Sequence, residues 1–115
     1  MPNMANGLSA YRAASLARSN RQREADVFRR ANGALRAAHQ GSALDQVRAV
    51  SDNRRLWNAV LDLVFDPASP LPAQLRGAIA SVGLAVQREV GREKPNLEFL
   101  IAVNENIAAG LAGEG

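Results

Sequence analysis

The sequence predicts an all-α protein, a small antiparallel bundle of four to five helices forming a single domain over residues 1–115. Glycine and proline divide the chain into four or five segments, each long enough for a helix and none alternating in the manner of a strand. The apolar fraction is 47%, but 22 of those residues are Ala and only five in the chain are aromatic, so the core must be mostly Leu and Val at close helix separations. A chain of this length buries roughly two thirds of the surface its unfolded form exposes, which suits one domain.

Residues 1–8 and 112–115 are expected to be flexible. An Ala-rich stretch over residues 9–18 can form a short first helix, although at about ten residues it is marginal alone. Ser19-Asn20-Arg21-Gln22 fits a capping box, so a second helix is expected to start there. Its apolar positions are Phe28, Ala31, Leu35 and Ala38, with Gly41 as a left-handed cap. Ser42, with Asp45 three residues on, opens a third helix striped by Leu44, Val47, Val50, Trp57, Leu61 and Val64. Leu56, Val60 and Leu63 widen that stripe, which marks a central helix, and Pro67 ends it.

Pro72 is placed for the first turn of the next helix, whose stripe runs Leu71, Leu75, Ile79, Val82, Val86 and Val90 and closes at Gly91. Asn96 caps a last helix lined by Leu97, Leu100, Ile101, Asn104, Ile107 and Leu111. Short connections make neighbouring helices antiparallel.

Composition narrows function. Without cysteine there is no disulfide framework, thiolate metal site or cysteine nucleophile, and the single His39 cannot build an imidazole metal cluster. No glycine loop followed by Lys is present for phosphates. These features point away from an enzyme and from any cofactor. The N-terminus lacks a signal-like apolar stretch, and no run approaches the ~20 apolar residues that cross a bilayer, so a cytoplasmic protein is expected. Charge is uneven: residues 1–40 carry seven Arg against Glu24 and Asp26, a balance of +5, and the remainder carries −2.

Candidate chemistry is sparse. His39 reads as a helix-end cation, Asp62 and Asp66 as a carboxylate pair at a solvated helix end, and Glu89 and Glu93, interleaved with Arg88 and Arg92, as an exposed face. Asn53-Arg54-Arg55-Leu56-Trp57 puts two Arg and the only Trp in about one helical turn, the residue types that dominate interface hot spots. The same turn equally suits a Trp core anchor with Arg stems lying over it. Asn104 breaks the last apolar stripe, either satisfying a neighbouring helix or marking a groove for a partner.

The order of Tyr11, the Ser19-Asn20-Arg21-Gln22 cap with Glu24, Asn53-Arg54-Arg55-Leu56-Trp57, Leu71-Pro72-Ala73-Gln74-Leu75-Arg76 and the 96–111 ending resembles FlaF, the flagellar biosynthesis regulators of alphaproteobacteria, over about residues 10–112. Asn20 stands where the family pattern would place Pro, and Glu105 where a basic residue is more usual. The resemblance implies a cytoplasmic helical protein without catalysis, required for flagellin production beside the partner regulator FlbT and binding flagellin as a secretion chaperone. Its expected partner-binding residues are Arg54, Arg55, Trp57, Leu71, Leu75 and Asn104, around an Ala-lined groove that takes an amphipathic flagellin segment as an added helix. The competing reading is a translational regulator of flagellin mRNA, acting directly through the basic N-terminal third or through FlbT.

Overall fold

The computed structural model describes residues 4–69 and 71–113. The described residues form four helices: α1 (Met4–His39), α2 (Ala43–Phe65), α3 (Ala73–Val90) and α4 (Leu97–Leu111). The all-α bundle is as expected, with four helices because the two N-terminal segments are one.

That fusion corrects the break expected at Ser19. Ser and Gln cap a helix start only where the chain turns into it. No Gly or Pro lies between Leu8 and Asn32 to force such a turn, and the 36-residue helix runs through, beginning at Met4 rather than after residue 8. At 1.5 Å per residue α1 is about 54 Å long, most of the 63 Å length of the molecule.

The α1–α2 turn is fixed by a reciprocal capping box. Ser42 Oγ accepts from the Asp45 N–H at 3.1 Å, and the Asp45 carboxylate accepts from the Ser42 N–H at 3.1 Å. The Ser42 backbone N–H foremost, and then the Ser42 hydroxyl, hold the Asp45 carboxyl below its ordinary value of 3.8. Gly41 is not left-handed as expected; among described residues only Gly113 has a positive φ, at 78°. Gly41 provides space instead, since a Cβ there would sit 2.6 Å from Asp45 Oδ2 and 3.3 Å from the Ala37 carbonyl oxygen.

Helix α2 stops at Phe65 ahead of Pro67, with Asp66 Oδ1 accepting from the Ala68 N–H at 2.9 Å in the turn. Pro72 is the N-cap of α3 rather than its first residue. Glu89 then latches the α3–α4 turn by accepting from the Asn96 N–H at 3.0 Å, and Asn96 Oδ1 caps α4 through the Phe99 N–H at 3.1 Å.

Helices α1 and α4 pack antiparallel, as do α2 and α3, and α2 lies against α1 while α3 meets α4 only marginally. The core joins Ala25, Phe28 and Leu35 of α1 with Val50 and Trp57 of α2, Val86 and Val90 of α3 and Leu100 of α4. Leu44 and Val47, expected on the buried α2 stripe, are 55% and 65% exposed. The interior face of α2 runs Ala49, Asn53, Trp57, Leu61 and Val64 at steps of four and three, and carried back it reaches half-buried Gln46 rather than Val47.

Candidate partner-binding surfaces

Trp57 touches every helix of the bundle. Its ring meets Phe28 of α1 edge-on with centroids 5.6 Å apart. From α3, Gly83 lies so close that an added Cβ would be 3.2 Å from Trp57 Cε3. Its indole Nε1–H donates to Asn104 Oδ1 of α4 at 2.9 Å, and Asn104 Nδ2 donates in turn to Asn53 Oδ1 at 2.7 Å. Asn32 adds a second grip on α4, its Nδ2 donating to the Ile101 carbonyl at 3.0 Å. Trp57, Asn53 and Asn104 are fully buried, so these bonds are shielded from water and fix the position of α4 along the bundle. Asn32 Oδ1 and Asn53 Nδ2, an acceptor and a donor, are buried without a partner among the described residues.

The six residues expected at the partner site therefore separate. Trp57 and Asn104 are brought together in the core, where a partner cannot reach them while the bundle is closed. Arg54 Nη2 donates to the Val90 carbonyl at 3.0 Å, placing a cation at the C-terminal end of α3, where the helix dipole favours it. Arg55 is exposed and 3.5 Å from Asp52, an open pair that contributes little to stability. Leu71 is half-buried just before α3 and Leu75, in its first turn, is 46% exposed. Since Val90 closes α3 and Leu75 opens it, Arg54 and Leu75 stand at opposite ends of the α2–α3 pair.

The remaining candidates have structural surroundings. His39 lies 3.7 Å from Glu98, and Glu105 pairs with Arg36, so the acidic residue at that position serves the α1–α4 contact. Asp62 is exposed on α2, and Asp66 is spent on the turn. Among the described residues no group of three or more His, Asp or Glu is placed to hold a metal ion.

Two surfaces were not singled out by the sequence. One is a shallow groove between α1 and α2, floored by Ala34, Ala37, Ala38 and Ala49 and rimmed by Asp45, Arg48 and Asp52. The Ala repeat at steps of three and four on α1 was its signal; the Ala-lined groove was expected around Arg54, Arg55, Trp57, Leu71, Leu75 and Asn104, and none of these lines the groove between α1 and α2. The other is the N-terminal arm of α1. Residues 7–24 are exposed apart from half-buried Ser15, and they include Leu8, Tyr11 and Leu16 at 53%, 67% and 59%.

Fold and surface together define an all-α bundle whose buried polar side chains are occupied in joining helices and whose remaining features are grooves and bare helix faces. The family model of flagellar protein FlaF matches residues 8–111, and the chain belongs to that family. It is thus a flagellar protein. No curated protein and no solved structure matches it. Among the described residues no helix is long and apolar enough to cross a membrane.

Proposed function

We propose that this protein binds flagellin before export, as a cytoplasmic chaperone that takes an exposed amphipathic segment as an added helix and so supports flagellin synthesis and filament assembly. The observation that carries this reading is the Ala-floored groove between α1 and α2. Methyl side chains on both walls let a third helix approach closely, and the rim offers both charge signs for polar flanks. A flagellin segment that folds as it binds loses conformational entropy on docking, which keeps the affinity moderate and release accessible. Arg55, Leu71 and Leu75 are the members of the expected site left open to a partner; Arg54 is also exposed but its guanidinium is engaged by the Val90 carbonyl, and Trp57 and Asn104 are buried in the core.

The second reading, regulation of flagellin translation through its mRNA directly or through FlbT, draws on Arg12, Arg21, Arg23 and Arg30. None of these has a carboxylate partner among the described residues. Salt separates the two readings, because phosphate binding weakens by roughly 0.7–0.9 log units per contact for each decade of salt, while apolar helix capture barely responds.

The test is co-purification with the organism's own flagellin, followed by calorimetric titration at low and high salt. A complex of about micromolar affinity is expected, insensitive to salt and lost in Ala34→Glu with Ala37→Glu, both exposed positions. Failure to bind flagellin, together with tight salt-sensitive binding of the flagellin leader RNA, would reverse the order of the readings. If flagellin binds the charged double variant normally, the groove is not the site.

A further inference from the structure

In α1, Ala25, Phe28, Asn32 and Leu35 follow one another at steps of three, four and three, and all four are buried. The same heptad carried backward reaches Arg21, Arg18, Ala14 and Tyr11, and all four are exposed. The covering ends because α4 ends: Leu111 is its last residue, and residues 110–113 line a cleft with Arg18, Arg21 and Gln22. Beyond that point the seam of α1 continues in phase with none of the described residues laid upon it.

The chemistry of the bare seam restricts what can cover it. Residues 7–23 contain Arg12, Arg18, Arg21 and Arg23 and no acid. A second copy would set four cations against four, so self-pairing of the arms is opposed. A wholly apolar helix would strip water from Arg18 and Arg21, which lie on the seam itself, without giving them a counter-charge. Nucleic acid would satisfy the arginines, but Tyr11 is the only aromatic on the arm and the adjoining seam residue is Ala14, a poor surface for bases.

We propose that the N-terminal arm of α1 is a docking rail for an acidic amphipathic helix of a partner protein. That helix lies antiparallel to α1 in line with α4, with apolar side chains on Tyr11 and Ala14 and carboxylates facing Arg18 and Arg21. The assignment is independent of the α1–α2 groove and stands whether or not flagellin occupies it.

The experiment uses the full chain and three probes: a designed amphipathic helix with Leu on its seam and Glu on its flanks, the same helix with Lys for Glu, and polyuridine RNA. Binding is followed by anisotropy and by backbone NMR shifts. The Glu helix is expected to bind and shift the amides of residues 8–23, and its affinity is expected to fall about tenfold or more in Tyr11→Ala with Arg18→Gln, a loss typical of an interface anchor pair. An unchanged urea midpoint shows that the variant folds. The proposal fails if the Lys helix or the RNA binds as well as the Glu helix, or if the variant binds the Glu helix like the parent. It also fails if no probe binds, or if the arm instead mediates a dimer that the variant dissolves.

Discussion

The C-terminal half of α1 lies under α2 and α4, whereas its N-terminal half, in the same heptad phase, meets only the end of α4 near Arg18 and Arg21 and is otherwise uncovered among the described residues. Phe28 and Tyr11 are both aromatic and both on the seam, yet Phe28 is 4% exposed and Tyr11 67%. Heptad position therefore does not fix burial here; the length of the neighbouring helix does. The comparison also shows how a bare arm stays helical. Nucleation is the costly step, and the half fixed by Trp57 and α4 provides it, after which the Ala-rich residues add by propagation.

The largest effect that tests this contrast comes from truncating the two aromatics. Phe28→Ala is expected to cost about 3–5 kcal/mol, because it removes the face against Trp57 and leaves a cavity. Tyr11→Ala should stay within about 0.5 kcal/mol, as expected of an exposed site. Equal losses in urea denaturation would mean that the arm is packed in solution.

Next in size is Asn104→Ala, which leaves the Trp57 indole N–H and the Asn53 amide oxygen buried without partners. About 1–3 kcal/mol is expected for each orphaned group, and thermal melts measure it. A milder pair sharpens the comparison further: Ala25→Leu overpacks a fully buried position and should cost about 1–3 kcal/mol, whereas Ala14→Leu should be neutral in the isolated protein. A small effect of opposite sign is expected in the last third of α1. Gly33→Ala meets nothing within 4 Å and should stabilise by about 0.5–1 kcal/mol.

The cap at the α1–α2 turn responds to pH. Because the Asp45 carboxyl is lowered on folding, its contribution is fully present above its ordinary value of 3.8 and is lost as pH falls through the lowered value. Asp45→Asn should therefore melt below the parent at neutral pH, and the gap should close in acid.

Local chemistry was the most legible part of the sequence. The caps at Ser42 and Asn96 form as their spacing indicates, since each depends on atoms three residues apart. The Ser19–Gln22 pair has the same three-residue spacing but lies in an unbroken helix, where the seam from Tyr11 to Leu35 was the stronger signal. Gly41 was required, but for the space beside Asp45 rather than for its φ, a difference that depends on where a side chain comes to rest. The prominence of Trp57 and Asn104 was readable one residue at a time; their mutual hydrogen bond joins positions 47 residues apart and follows only from how α2 and α4 pack. For the same reason the alanines indicated a groove, but it was expected around Arg54, Trp57 and Leu75 rather than between Ala34 and Ala49.

The central claim is that exposed helical surface on this bundle captures a flagellin segment. Hydrogen exchange with mass readout, on the protein alone and saturated with flagellin, tests it most directly. Added protection is predicted along the groove, in residues 34–38 and 45–52, with the amides around Trp57 already slow and unchanged. No stable complex, or protection confined to residues away from the groove, would contradict it.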